Sequence, residues 1–247
     1  MNKNLHERYQ ATAVYLFLGL LLLPLCTVSA DPPPRGDTHG NPYGQLAASW
    51  WSWALETPVV LPDSHPGFDQ GSVDCSIGQH GQVWFLAGKI FDSQKVNRSC
   101  SLPMGKGLFF PLYNNVYINF ATDPPLTSEV CYAFTQSGVK ALGKVKIEAL
   151  LDGKPLNYSQ KAFEQSPIFS VQMPEPTDTE TNLLAYLGFS ETEFPDWVAS
   201  ANCDFGWYGY VAPLSPGRHS IKWKVASSKL GLLQDVEYKL TVLPRGR

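Results

Sequence analysis

The chain has 247 residues, of which 44% are hydrophobic, 13% aromatic and only 17% charged, and its net charge is −3. That length can bury a sizeable core in one domain or two small ones, the aromatic content excludes a disordered chain, and so small a charge leaves no basic footprint for nucleic acid. Twenty Gly and twenty Pro, with no repeat, favour many turns over long helices.

Met1 to Gln10 carry Lys3, Glu7 and Arg8, and Ala11 to Leu25 then run without a charge. Pro24 breaks the end of that run, and Val28-Ser29-Ala30 places small residues ahead of Asp31. Charged, apolar and small-residue regions in this order read as a secretory signal peptide over residues 1–30, which makes the mature chain secreted or periplasmic. The alternative is a retained anchor, since the apolar stretch with its flank nears the ~20 residues that span a bilayer. After cleavage no stable membrane span is left. Residues 31–41 (DPPPRGDTHGN) form a flexible Pro/Gly-rich leader. Its Arg35-Gly36-Asp37 matches an integrin-binding tripeptide, as three common residues often do by chance.

Asn41-Pro42 reads as an N-cap and a first helical residue, with the helix running to about Glu56 before Pro58 stops it. Tyr43, Leu46, Trp50 and Trp53 share one face, a stripe that more often packs a helix on a sheet than stacks on sugar. From there the pattern turns to period two. Val83 to Ala87 is an apolar run for a strand covered on both faces. Leu108 to Tyr113 follows a Gly-Lys-Gly turn, and Pro111 marks it as an edge strand or a bulge. Val116, Ile118 and Phe120 alternate, and so do Val145, Ile147, Ala149 and Leu151, after which Asp152-Gly153 supplies a type I′ turn. Ile168 to Met173 and Trp207 to Val211 are further strands. The last two, around Ile221–Val225 and Val236–Val242, alternate most cleanly. Helical insertions are expected near Thr127–Leu142 and Asn182–Leu187, the latter ended by Gly188. The fold class is all-β with minor helices. It reads as an antiparallel β-sandwich, jelly-roll-like or immunoglobulin-like, with helical insertions in one domain over 42–247.

Export also governs the cysteines. Cys75, Cys100, Cys131 and Cys203 remain in the mature chain, an even number that predicts two disulfides with three connectivities open. Cys75–Cys100 with Cys131–Cys203 is favoured, because the first pair brackets one hairpin-like segment. The chain-entropy relation gives about 3.5 and about 4.4 kcal/mol for the two loops. There is no C-x-x-C pair for a zinc ribbon or a redox site.

Between Ala47 and Asn115 the blocks W-W-S-W-A-L, G-Q-x-G-x-V-W-F-L-A-G and P-x-G-K-x-L-F-F-P-L-x-N stand in order. The chain closes on L-S-P-G-R-H-S-I-K-W and D-V-E-Y-K-L-T-V. In these blocks it resembles a group of exported bacterial proteins of uncharacterised function. The resemblance covers most of the mature chain. It implies a bacterial source and an exported β-rich domain, and it brings no catalytic residues.

The densest polar cluster runs from His65 to Cys100. Its catalytic candidates are Asp69, Asp74 and His80, a carboxylate–imidazole set of the kind that could serve an envelope hydrolase, with Gln79, Asp92 and Arg98 nearby. The plainer expectation is that the two aspartates cap turns and Arg98 pairs locally. Metal ligation by His65, Asp69 and His80 lacks a signature spacing, so no metal and no cofactor are assigned. Trp207, Tyr208 and Tyr210, with Trp197, are candidates for sugar stacking, although neighbours on a strand must face opposite ways. Residues 162–217 hold eight acids and no Lys or Arg. They read as a solvated loop, with only a weak calcium-like pattern at Asp178-x-Glu180-x-Asn182. Lys222, Lys224 and Lys239 point outward, for solubility or to protect an edge. No nucleophile motif is present. The leading expectation is a non-catalytic exported protein binding a glycan or envelope component. An envelope hydrolase using an Asp/His site in 65–98, or a structural or adhesion protein, are the alternatives, and oligomeric state is left open.

Overall fold

A computed structural model of the protein describes residues 42–90, 95–156, 158 and 164–245. Residues 1–41, where the sequence places a signal peptide and a leader, and Asp92 lie outside the described residues. Helix α1 (Pro42–Glu56) leads into β1 (Val59–Val60), β2 (Gly71–Ser72), β3 (Val83–Phe85), β4 (Val96–Pro103) and β5 (Gly107–Ile118). Helix α2 (Ser128–Leu142) is followed by β6 (Val145–Leu151), β7 (Lys154–Pro155), β8 (Glu164–Gln165), β9 (Phe169–Gln172) and β10 (Glu180–Thr181). The short α3 (Leu183–Tyr186) precedes β11 (Val198–Val211), β12 (Gly217–Ser227) and β13 (Gly231–Leu243).

The fold is a β-sandwich with a helix laid on one side. One sheet runs β3-β5-β11-β8 with β9 also on β11, and the other runs β2-β4-β13-β12-β6-β7. Most pairs are antiparallel, but β4 joins β13, β2 joins β4 and β3 joins β5 in parallel, so both sheets are mixed. Leu108, Phe110, Phe205 and Trp207 from the first sheet meet Ile221, Trp223, Val236 and Tyr238 from the second in one core. Phe110 stacks on Trp223 with centroids 4.9 Å apart. The other face of the first sheet, with Phe109, Tyr208 and Tyr210, packs against Trp50 and Trp53 of α1 in a second core. Strands β5 and β11 are therefore covered on both sides, which is why Phe109-Phe110 and Trp207-Tyr208 are apolar in consecutive positions.

Each element follows from its local chemistry. The tryptophans of α1 find acceptors on burial: Trp50 Nε1 donates to the Leu86 carbonyl at 3.0 Å and Trp53 Nε1 to that of Ile77 at 2.9 Å. Thr127 caps α2, its Oγ1 accepting from Val130 N at 3.3 Å, and Asn182 caps α3, its Oδ1 accepting from Ala185 N at 2.8 Å. The turn at Asp152-Gly153 has φ of 50° and 75°, the signs that a type I′ hairpin needs. Pro111 lies in a strand with neighbours on both sides and coincides with a bulge. Trp207 faces Tyr113 while Tyr208 faces Pro111, leaving Leu112 as the extra residue. Two disulfides, Cys75–Cys100 and Cys131–Cys203, close loops of 25 and 72 residues. The second ties α2 to β11.

Helix α1 approaches β8 so closely that a Cβ on Gly44 would sit 2.3 Å from the Gln165 carbonyl oxygen. Gly44→Ala gains ~1 kcal/mol of helix propensity, but the neighbour is backbone and cannot rotate away. The net result expected in urea denaturation is a loss of about 1–3 kcal/mol.

Three expectations change. The segment Val96–Pro103, which the sequence pattern passes over, is the strand β4. Its inward positions are Val96, Arg98, Cys100 and Leu102, and an arginine among them breaks the apolar alternation. Strands β12 and β13 are interior to their sheet, so Lys222, Lys224 and Lys239 protect no edge. Finally, the acidic stretch is not wholly solvated, because Glu164 is 5% and Asp204 0% exposed.

Candidate binding site

The catalytic candidates of the sequence are engaged in holding turns. Asp69 accepts from Ser64 Oγ and from the His65 backbone N–H, both at 3.1 Å. Asp74 Oδ1 accepts from Ser76 N at 2.8 Å and Ser76 Oγ at 2.6 Å. The Ser76 hydroxyl, then its N–H, holds the Asp74 carboxyl below the usual range. Asp69 and Asp74 line a common cavity with Gln79, Arg98 and Tyr238, but its volume is about 20 Å³. That is room for one water and not for a glycosidic bond. Exposed His80 is not part of that lining. It lies instead near Glu56, whose pKa burial raises against the opposing influence of His80. The geometry therefore does not assemble Asp69, Asp74 and His80 into a cleft fit for substrate.

His65 is buried and structural. Its Nδ1 accepts from Gly67 N at 3.0 Å, so Nε2 carries the hydrogen that reaches the Ala54 carbonyl at 3.0 Å. Burial lowers its pKa and keeps it neutral. Both nitrogens are committed, which removes it as a metal ligand. Among the described residues no group of three His, Cys, Asp or Glu could hold a metal ion.

The aromatic candidates are turned inward. Trp207, Tyr208, Tyr210 and Trp197 are 7%, 0%, 4% and 7% exposed, so none presents a ring face to an external sugar. Tyr208 has a different task. Its hydroxyl donates to Asp204 Oδ1, while Trp51 Nε1 donates to Asp204 Oδ2 at 2.6 Å. Burial raises the Asp204 carboxyl to about 7, against the opposing pull of those two hydrogen bonds. This buried knot locks α1 onto β11, and nothing in the sequence pattern marks it.

A much larger concavity adjoins the small cavity of Asp69 at Val73 and Asp74, on the outer face of the six-stranded sheet. It is an open groove of about 990 Å³ crossing β2, β4, β13, β12 and the β6–β7 turn. Period-two alternation builds it. Val96, Cys100, Tyr238, Leu240, Ile221 and Trp223 point into the core, and the intervening residues point out. One transverse row is Ser72, Ser99, Lys239 and Ser220, each opposite the next across the ladder. The next row is Ser101, Thr241 and Arg218. Among the described residues no Phe, Tyr or Trp lines the groove.

Charge is arranged unevenly over this face. At the far end Lys222 faces Glu237 at 3.3 Å and Lys224 faces Asp235 at 3.7 Å. In the groove the pattern reverses. Asp152 Oδ1 accepts from Ser220 N at 2.7 Å and its Oδ2 meets His219 Nδ1 at 2.8 Å. Lys239 and Arg218 stand opposite hydroxyls, with no ion pair to them among the described residues. His219 Nε2 reaches the Ser215 carbonyl at 3.0 Å. Both partners of the ring accept only, so both nitrogens donate when it is an imidazolium. Burial works against that charge, but the hydrogen bonds to Asp152 and Ser215 prevail and raise the His219 pKa. A raised folded-state pKa gives stability that is full below the unfolded value, about 6.5, and is lost as pH rises through the folded one. The melting temperature of His219→Gln should therefore fall short of the parent at pH 6 and approach it at pH 9. Equal deficits at both would contradict an imidazolium here.

No family model matches the chain, and no curated protein matches it either. Among the described residues no helix is long and apolar enough to cross a membrane.

Apart from residues such as Asp74 and Lys239, which the sequence offered in other roles, the groove residues are hidden in the sequence because single serines and threonines on alternate strand positions look like ordinary solvated faces. The signal that was present is Ser99-x-Ser101 with Lys239-x-Thr241. Seeing it required the β4–β13 pairing.

Proposed function

We propose that this chain is an exported, non-catalytic binding protein whose ligand is a glycan of the cell envelope, held in the groove on the outer sheet face. The observation that carries this is the transverse pattern of hydroxyls with Lys239 and Arg218, in a concavity whose volume suits a ligand of several rings. One oxygen of Asp74 at its rim is free of the Ser76 contacts and can accept from a sugar hydroxyl. Export is supported by the order of charged, apolar and small residues at the N-terminus and by two disulfides, which persist in oxidising compartments. The resemblance to exported bacterial proteins points the same way. The small volume of the cavity that Asp69 shares with Asp74, and the absence of His80 from its lining, weigh against a hydrolase built on Asp69, Asp74 and His80.

The test is a glycan array with the mature protein, followed by backbone NMR titration with the best hit. Shift changes at Ser99, Ser220, Lys239 and Thr241 are expected. Saturation that moves residues 65–80 instead, with cleavage of the glycan, would return the hydrolase; an array with no binder would remove the proposal.

A further inference from the structure

We infer that the glycan taken by this groove is anionic, carrying carboxylate or phosphate groups that Lys239 and Arg218 engage. This rests on the groove being the ligand site. The inference comes from comparing the two ends of one sheet face. Strands β6, β12 and β13 contribute charges to it, and at the end away from the groove each cation on β12 has a carboxylate directly opposite on β13. Within the groove the ladder places Ser220 opposite Lys239 and Thr241 opposite Arg218, with Ser99 and Ser101 on the other flank. The carboxylates there have donors other than these cations. Asp152 is held by Ser220 N and His219, and Asp74 Oδ1 by Ser76, which leaves Asp74 Oδ2 open at the rim. Two exposed cations thus face hydroxyls, while Asp152 and one oxygen of Asp74 have found other donors.

Magnitudes favour a charged ligand over a neutral one. A hydroxyl–hydroxyl hydrogen bond replaces two bonds to water and nets only about 0.5–1.5 kcal/mol. Proteins that hold neutral sugars gain by burying a ring face on an aromatic side chain, and among the described residues no Phe, Tyr or Trp lines this groove. A hydrogen bond to an ionised group is worth about 1.5–3 kcal/mol. Lys239 and Arg218 sit on adjacent strands two residues out of step, about 7 Å apart along the strands. One chain carrying repeated anionic groups can reach both. The serine and threonine hydroxyls between them are matched to the sugar hydroxyls of that chain. Nucleic acid fits poorly, since among the described residues no Phe, Tyr or Trp ring lines the groove for a base to stack on.

Isothermal titration of the mature protein with three probes tests this: an oligogalacturonate, a poly(glycerol phosphate) chain and neutral maltoheptaose. At least one anionic probe is expected to bind ten-fold or more tighter than maltoheptaose, and which one leads tells carboxylate from phosphate. Its affinity should fall steeply between 50 and 300 mM salt. Lys239→Gln and Arg218→Gln should each weaken it about ten-fold, and Lys222→Gln, at the charge-paired end, less than two-fold. Maltoheptaose binding as tightly as the anionic probes, with shifts at Ser99 and Ser220, would overturn the anionic inference and leave the groove as the glycan site. Equal losses from Lys222→Gln and Lys239→Gln would overturn it too, as they would report only a diffuse surface charge. Binding of none of the probes, with an array that also finds no ligand, removes the underlying reading itself.

Discussion

Arg98→Met is expected to cost about 3–5 kcal/mol of folding stability. Arg98 is 2% exposed, and two of its three guanidinium nitrogens meet oxygens while the buried Nη2 meets none among the described residues. Nε donates to the Asp69 carbonyl at 2.7 Å; Nη1 donates to the carbonyls of Ala87 at 2.5 Å and Gly88 at 3.1 Å and to the Tyr238 hydroxyl at 2.8 Å. These bonds pin the turn before β2 and the segment after β3 to the six-stranded sheet. Methionine replaces the aliphatic stem but leaves the Asp69 and Gly88 oxygens without that donor, whereas Ala87 keeps its bond from the Tyr238 hydroxyl at 2.9 Å. Removing a buried cation recovers its desolvation cost, and that gain would prevail if the acceptors left with it. They are backbone carbonyls and cannot leave, so the loss dominates. The urea midpoint should drop at unchanged slope, and Arg98→Lys should not restore it, for one ammonium cannot span the positions that a planar fork reaches. A loss under about 1 kcal/mol, the worth of a single ordinary hydrogen bond, would show that these hydrogen bonds are not what holds this corner.

Asp204→Asn should abolish a pH dependence of stability that the parent protein carries between about pH 4 and 7. The folded-state carboxyl titrates near 7 because burial penalises its charge, while in the unfolded chain it titrates near 3.9. In that window the folded state holds the extra proton, so stability falls as pH rises. The span of roughly three units corresponds to about 4 kcal/mol. Asparagine resembles the protonated acid in shape and keeps an acceptor for Trp51 Nε1. The variant should match or trail the parent at pH 4 and exceed it at pH 8. Denaturation midpoints taken across that range decide the matter: parallel curves would mean that Asp204 is not the titrating group.

Much of the fold was legible because it is written in short-range chemistry. Helix α1 begins at Pro42 and stops before Pro58, and β6 spans the alternating run Val145–Leu151. Thr127 and Asn182 act as caps because their side chains reach the next turn's N–H groups without help from the rest of the chain. Strand β4 was hidden for the opposite reason. An inward arginine makes sense only beside Tyr238, 140 residues away, and the Ala87 and Gly88 carbonyls. The aromatic cluster Trp207-Tyr208-x-Tyr210 was visible, but whether its rings met solvent depended on α1 and the second sheet covering both faces of β11.

The candidate site divides in the same way. By itself the sequence determined which residues alternate along each strand and where turns and caps fall, because those features depend on neighbours a few bonds away. Only the tertiary structure decided that Ser99, Lys239, Ser220 and Asp152 share one groove, that Lys222 is matched by a carboxylate while Lys239 is not, and that Asp204 is buried. Each of those rests on the pairing and register of strands distant in the chain. Period-two alternation fixes a side chain's face, but only the hydrogen-bonded ladder sets what lies opposite it.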